Sequence, residues 1–380
     1  MYISAFPTLT IKTLFNPFPQ RSWDRHFPFQ KPIFFYRGAN AVWSAVKILK
    51  LPPQSHVLVP AYHCGVEISA VLKAGGFIQF YNIKNDLLVD LEDIQRKINH
   101  ETKAILVIHY FGFPQPIREI KRLCDSKKIF LIEDCAHALF GRIPEGMLGS
   151  FGDASIFSFQ KSLPVADGGA MILKKEKLEE SRMLRQPPGL TVLRGLSVLW
   201  MEHLKMFHQT VYQFLEGFIF NPLRYLLKQL KKIPTESFQI KTASTHEFDE
   251  GLTVLGMSNV SLKISQNIDP DLVIQKRRKN FQFLKEGLKN VKGIAFLYHD
   301  LAEGICPLFF PILADDRNFL QERLNQKSIG TFIFGKILHP HLPREKFPSA
   351  EFVSNKNLCF PIHQDLDEIH LKYMIEAITE

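Results

Sequence analysis

The sequence predicts an α/β fold with a mostly parallel central sheet, helices on both of its faces, and a smaller C-terminal α+β domain. Two observations carry this. Between residues 37 and 185, short apolar runs alternate with helical patterns, and the runs are continuously apolar, as in strands buried on both faces. Beyond residue 251 the rhythm changes to a charged helix, two more apolar runs and a last helix.

The expected strands are HVLVP (56–60), FIQFYNI (77–83), AILVIHYF (104–111), IFLIEDC (129–135), ASIFSF (154–159) and AMILKK (170–175). Helices are expected near 40–50, 66–74, 90–98, 116–127 and 176–185. In a parallel sheet of this kind ligands bind beyond the carboxyl ends of the strands, so polar residues just after a strand are the candidates. Residues 186–250 break the alternation. Leu196, Leu199, Trp200, Leu204, Phe207, Val211, Phe214 and Phe218 fall at helical spacing, and a shorter basic helix, LRYLLKQLKKI, follows Pro222. In the last third come a charged helix at 270–290, apolar strand runs at 307–313 and 329–334, and a helix from 366. The domain plan is thus an arm (1–36), a large domain (37–185), a helical insertion (186–250) and a small domain (251–380).

Composition sets the bounds. At 380 residues, 46% hydrophobic and 22% charged, the chain has room for a large and a small domain and the means to fill a core. The 47 Lys and Arg outnumber the 38 Asp and Glu, for a formal charge of +9. These basic residues are scattered with no basic-aromatic module, which argues against nucleic acid as a partner. A phosphorylated small molecule or an anionic surface remains open. The five cysteines form no CxxC pair and read as free thiols in a reducing compartment. The N-terminus does not read as a signal peptide, and no apolar run reaches 18 residues. The cytoplasm is the expected location.

The chemistry concentrates in residues 132–173, IEDCAHALFG…GSFGDASIFSFQKSLPVADGGAMIL. Asp134 ends a strongly apolar strand, where a carboxylate without a task is costly to bury. His137 follows near the next helix, and the next strand leads to Ser158, Lys161 and Gly168-Gly169. Taken singly, Asp134 reads as a helix cap and Lys161 as a solvated lysine. Together, an acid, a lysine and a hydroxyl at successive strand ends suit pyridoxal 5'-phosphate (PLP). The lysine bonds to the cofactor aldehyde, and the acid keeps the pyridine nitrogen protonated.

This run resembles the DegT/StrS family of PLP-dependent nucleotide-sugar aminotransferases, and the sequence reads as a divergent branch of it. The resemblance implies PLP-transferase fold type I. Its EDxAxA segment maps the ring-nitrogen acid onto Asp134 and a residue near the cofactor's phenolic oxygen onto His137. Its GSxGDxxxFSF strand maps onto Gly149 to Phe159 and its cofactor lysine onto Lys161, with the FSF-to-lysine distance two residues shorter than the commonest form. YRGANAVWSAVKIL (36–49) is similar to the helix start that holds the cofactor phosphate, which makes Gly38, Ala39, Asn40 and Ser158 the phosphate candidates. VLVPAYHCGVEISAVLKAGG (57–76) is similar to the segment carrying an aromatic cover for the ring, here Tyr62 or His63. VIHYFGFP (107–114) is similar to a family strand end, where His109 reads equally well as a satisfied core histidine. ILHPHLPREKFPSAEFVSNKNLCFPIHQDL (337–366) is similar to the family's small domain. His339, His341 and His363 lack acidic or Cys partners at ligand spacing, so no metal is expected.

The resemblance implies catalysis by Lys161, Asp134 and His137, an amino-acid donor (glutamate), a keto-sugar acceptor linked to a nucleotide, and a homodimer. Two departures stand out. Val254 and Gly256 occupy positions where the family carries an Asn and an Arg, which leaves a non-catalytic regulator or scaffold as the rival reading. The 195–233 insertion reads as core packing or a dimer contact, or as an interfacial helix pair on an anionic membrane through Trp200, its Phe residues, Arg224, Lys228, Lys231 and Lys232.

Overall fold

The computed structural model describes residues 1–15, 32–174, 183–222 and 246–380. Its core is a seven-stranded sheet built from β1 (Ile33–Phe35), β2 (His56–Pro60), β3 (Phe77–Tyr81), β4 (Thr102–Ile108), β5 (Phe130–Asp134), β8 (Ala154–Ser158) and β9 (Gly169–Leu173) in the order β1-β9-β8-β5-β4-β2-β3. β6 (Arg142–Ile143) and β7 (Gly146–Met147) form a small separate hairpin. The five strands from β3 to β8 are parallel, while β9 runs antiparallel to β8 and β1 antiparallel to β9. β1 lies on the arm side of the boundary drawn at residue 37.

Helices cover the sheet because each carries an apolar face. After the short α1 (Ile11–Phe15) come α2 (Gly38–Ile48), α3 (Val66–Lys73), α4 (Leu91–Lys97) and α5 (Ile117–Lys127). In α2, Ala41, Val42, Ala45, Val46 and Ile48 face the core at helical spacing. In α4, Asp90 caps the start by accepting from Asp93 N–H at 3.0 Å. The helix expected at 176–185 and the basic helix at 223–233 lie mostly or wholly outside the described residues.

Next come the one-turn α6 (Phe159–Ser162), the long α7 (Gly189–Phe207) and α8 (Gln209–Leu215). The C-terminal third holds α9 (Asn259–Gln266), α10 (Pro270–Leu288), α11 (Arg317–Gln326), α12 (Pro348–Lys356) and α13 (Glu368–Thr379) against an antiparallel sheet of β10 (Ile294–Phe296), β11 (Phe309–Ala314) and β12 (Asn357–Pro361). The apolar run at 329–334 makes only isolated bridges, Ile3 with Ile329 and Phe332 with Cys359. Phe332 exchanges backbone hydrogen bonds with Cys359 of β12, but the run extends no ladder, and β12 completes the sheet.

Parallel strands place their carboxyl ends on one edge, so β4, β5 and β8 deliver Ile108, Asp134 and Ser158 to the same side. The Gly168-Gly169 pair lets β9 close against the start of α2. Gly168 sits at φ +139°, and a Cβ at Gly169 would come within 2.4 Å of the Arg37 backbone.

Candidate active site

A cavity of about 540 Å³ opens at this edge. Its walls include Gly38 and Ala39 at the start of α2, Asp134 after β5, His137, and Ser158 and Lys161 around the β8–α6 turn. The sequence therefore brings six of its candidates to one place. Asn40, Tyr62 and His63 do not line it. Asn40 is buried, and its side-chain Oδ1 has no hydrogen-bond partner among the described residues. Tyr62 is fully buried and donates to the Phe334 carbonyl at 2.7 Å, while Asn357 donates to its hydroxyl. His63 is also fully buried, beside Phe80, and burial pushes its pKa down to about 4. From the segment expected to cover a ring, the side chains on the cavity wall are Cys64, Val66 and Glu67 instead. Phe334, in the 329–334 run, supplies the nearby aromatic face, with the Lys161 Nζ 5.8 Å from its ring centre.

Asp134 is buried. Desolvation lifts its pKa from 3.8 to about 6, partly offset by the Lys161 charge and by the Ala136 N–H, which donates to Oδ1 at 2.8 Å. Its capping bond and its place in the cavity coexist. His137 Nδ1 accepts the Phe111 N–H at 3.3 Å, which puts the proton of the neutral ring on Nε2. Burial and the nearby Lys161 hold its pKa well below the usual histidine value, so the ring is neutral. Nε2 is buried with no hydrogen-bond partner among the described residues. It is a donor waiting for an acceptor in a cavity wall.

Glu133, one residue before Asp134, has a different task. Its carboxylate accepts from His109 Nε2 at 3.1 Å and from the N–H groups of Gly149, Phe151 and Gly152. Burial pushes the group up, but the histidine and these N–H groups outweigh it and leave the carboxyl below its ordinary range. Glu133 thus pins the end of β5 to the loop that enters β8, and His109 is a satisfied core residue whose Nδ1 accepts from Gln115 N–H. With Cys135 these groups lie within 4.8 Å of one another. The carboxylate is already filled by donors, so the cluster reads as structural. Of the three histidines set aside for metal, His363 bonds the Ser4 carbonyl, and His339 accepts the His341 N–H.

Two further residues that the sequence did not single out hold the lysine turn. Arg277 is buried, donates to the Ser162 carbonyl at 2.9 Å and also reaches the carbonyls of Pro307 and Leu308. A cation at the carboxyl end of α6 fits the helix dipole. Asp167 accepts from Ser258 N–H, Ser258 Oγ and Ser261 Oγ, tying the loop after Lys161 to the start of α9.

Residues 31–203, which contain every one of these strand-end groups, match the model of the DegT/DnrJ/EryC1/StrS aminotransferase family. This segment belongs to that family. GDP-perosamine synthase of Vibrio cholerae is 31% identical over 150 residues, covering 39% of this chain and 41% of that protein. A dTDP-4-dehydro-2,3,6-trideoxy-D-glucose 4-aminotransferase of Saccharopolyspora spinosa is 32% identical over 169 residues, 44% of each. The match thus spans less than half the length of these curated relatives. Over the whole chain, the fold is shared with Helicobacter pylori PseC, an aminotransferase of pseudoaminic acid biosynthesis, at a TM-score of 0.69 and 16% identity, covering 99% of this chain and 98% of that one. The architecture is accordingly that of the fold-type-I PLP transferases.

Within the DegT/StrS frame the two departures acquire places. Val254 is exposed and Gly256 packs under Phe34 and Arg185, and neither reaches the cavity. The insertion does reach it, because Thr191, Arg194, Gly195, Val198 and Leu199 of α7 form part of the wall.

Proposed function

We propose that the protein is a PLP-dependent aminotransferase that moves an amino group from an amino acid, glutamate in this reading, to a nucleotide-linked keto sugar for surface-polysaccharide or related synthesis. One observation carries the reading: Asp134, His137, Ser158 and Lys161 converge with the start of α2 on a single cavity. The fit to the cofactor rests on the chemistry of these groups. Asp134 is a buried carboxylate suited to a ring N–H⁺, and His137 Nε2 is a buried donor without a partner among the described residues. The start of an 11-residue helix, with Gly38 there leaving the backbone open, suits a phosphate.

Bound there, PLP would supply a protonated ring that draws electrons from the Cα of an attached amino acid. Gly38, Ala39 and Ser158 would hold the phosphate. Asp134 would accept the ring N–H, and His137 would donate to the ring oxygen. Lys161 would hold the cofactor covalently and, once displaced by the donor, take and return the proton at the donor Cα. Phe334 would offer an aromatic face beside the lysine, whose Nζ lies 5.8 Å from its ring centre. The intact Lys161 and Asp134 favour catalysis over a non-catalytic scaffold.

The test is direct. Purified protein is expected to bind PLP with a visible absorption band, borohydride to fix the cofactor mass on Lys161, and glutamate to bleach the band. A label on another residue, or none, refutes the reading.

The same proposal includes a homodimer and a cytoplasmic location; five unpaired cysteines support a reducing compartment. No described helix is long and apolar enough to cross a membrane. A peripheral contact has a specific observation in its favour. Val211, Phe214 and Phe218 are 49%, 58% and 74% exposed on one face of α8 and the turn after it, so packing among the described residues does not cover them. The basic residues that would accompany them, Arg224, Lys228, Lys231 and Lys232, lie outside the described residues.

A further inference from the structure

The strand-to-helix corner that enters α2 is held from several sides. Tyr36 N–H donates to the Leu255 carbonyl at 3.1 Å, and the Tyr36 carbonyl accepts the Gly168 N–H at 2.8 Å. Gly169 lets β9 press on the next residue: a Cβ there would lie 2.4 Å from the Arg37 carbonyl carbon and 2.5 Å from the Gly38 nitrogen. Ser158 stands close by, since a Cβ at Gly38 would lie 3.8 Å from its Oγ. Arg37 therefore has a fixed, extended backbone at the N-cap of α2, and Tyr36, Arg37, Gly38 and Ser158 all line the cavity.

Arginine is a poor residue for that position. It offers no acceptor to the unpaired N–H groups of the first turn, and its charge adds to the positive end of the helix dipole. Within α2 nothing offsets it: no side chain caps the start, and the first turn holds no acidic residue. The guanidinium carbon lies 5.5 Å from the centre of the Tyr36 ring, and no described carboxylate pairs with it. A ring contact leaves the N–H groups of the fork unused. A separate observation marks the same cavity as made for a ligand: His137, only 2% exposed, keeps a donor Nε2 there without a partner among the described residues. A positive corner with an open fork suits an anion that presents two or more oxygens, as a phosphate monoester does.

We infer that Arg37 is a further ligand of the cofactor phosphate, beside the start of α2 and Ser158, an inference that rests on the aminotransferase reading. The charge of Arg37 opposes α2 in the cofactor-free protein and favours it once the phosphate is bound. Arg37 thus strengthens cofactor binding without strengthening the bare fold.

The experiment is a spectral titration of the full-length, cofactor-free protein with PLP and with pyridoxal, which lacks the phosphate, at low and high salt. The parent binds PLP with an affinity that falls as salt rises. Arg37→Gln weakens PLP about tenfold, the low end for a hydrogen bond to a charged group, and flattens the salt dependence. Arg37→Lys keeps the charge without the fork and falls between the two. Pyridoxal does not distinguish the three proteins. In urea unfolding without cofactor, Arg37→Gln is at least as stable as the parent. The inference is overturned if Arg37→Gln binds PLP as the parent does, or weakens pyridoxal by the same factor. It is also overturned if the variant unfolds more readily without cofactor, because Arg37 is then a structural residue. In all of these cases PLP still binds the parent and borohydride still fixes it on Lys161, so the aminotransferase reading stands. A parent that takes up no PLP sinks both.

Discussion

Asp134 gives the sharpest test because its burial has opposite consequences with and without a cationic partner. In the cofactor-free protein, desolvation raises its pKa from 3.8 to about 6. The folded state therefore binds the proton more tightly than the unfolded state does. Well above pH 6 the ionised group opposes folding by about two units, or roughly 3 kcal/mol. As pH falls through 6 towards 4 the carboxyl protonates in the fold and the cost disappears. Asp134→Asn keeps an oxygen for the Ala136 N–H and carries no charge at any pH. Cofactor-free Asp134→Asn is thus expected to be more stable than the parent by up to about 3 kcal/mol at pH 8, with the gap closing near pH 4. Urea unfolding of both proteins across this range measures the difference, and taking the difference cancels the other titrating groups. Saturating PLP should reverse the order at pH 8, because the parent alone offers an anion to the ring N–H⁺ and gains more by linkage. A gap that does not change with pH, or a variant less stable than the parent without cofactor, refutes the argument.

Other expectations follow from single contacts. Glu133→Gln should lose about 3 kcal/mol in urea unfolding, because an amide must turn its NH₂ towards one set of donors now meeting the carboxylate. Gly195→Ala should cost about 1–3 kcal/mol in thermal unfolding by pushing α7 off Ala166, and a neutral result would mean the helix can shift freely. If the exposed aromatic face of α8 meets a membrane, the protein should co-sediment with anionic vesicles at low salt and release at high salt. Changing Arg224, Lys228, Lys231 and Lys232 together to Gln should abolish this, and absence of binding at low salt retires the membrane contact.

The large domain was legible because its signals are local. Continuous apolar runs give buried parallel strands, and a polar residue at the end of such a run has no direction to point except the sheet edge. Asp134 and Ser158 follow that logic. The ring cover did not. Residues 61–64 lie past the end of β2, where the two-residue alternation of a strand no longer says which side chain faces the site. Tyr62 and His63 turned inward, and Cys64 took the wall. The run at 329–334 looked like a strand because it is apolar, but its bridge partners are Ile3 of the arm and Cys359 in the middle of β12, and pairing with distant segments leaves no mark on local sequence. The same holds for the capture of Ser162 by Arg277, 115 residues away in the chain.

Arg277 was nonetheless within reach of a pattern. The buried residues of α10 are Pro270, Val273, Arg277, Asn280, Phe281, Leu284 and Leu288, an apolar stripe interrupted by two polar groups, while Arg278 next to Arg277 faces outward to the carbonyls of Leu301, Ala302 and Ile305. A cation on the inner stripe of an amphipathic helix has to find acceptors inside the fold, whereas its neighbour, rotated by about 100°, does not. The insertion divides in the same way. α7 reads as one apolar helix until its faces are separated: Val192, Leu204 and Met206 pack inward, while Thr191, Arg194 and Gly195 form a polar, small-residue stripe along the cavity. The first face is held by core packing, and the second meets the cavity and, at Gly195, the loop after Lys161.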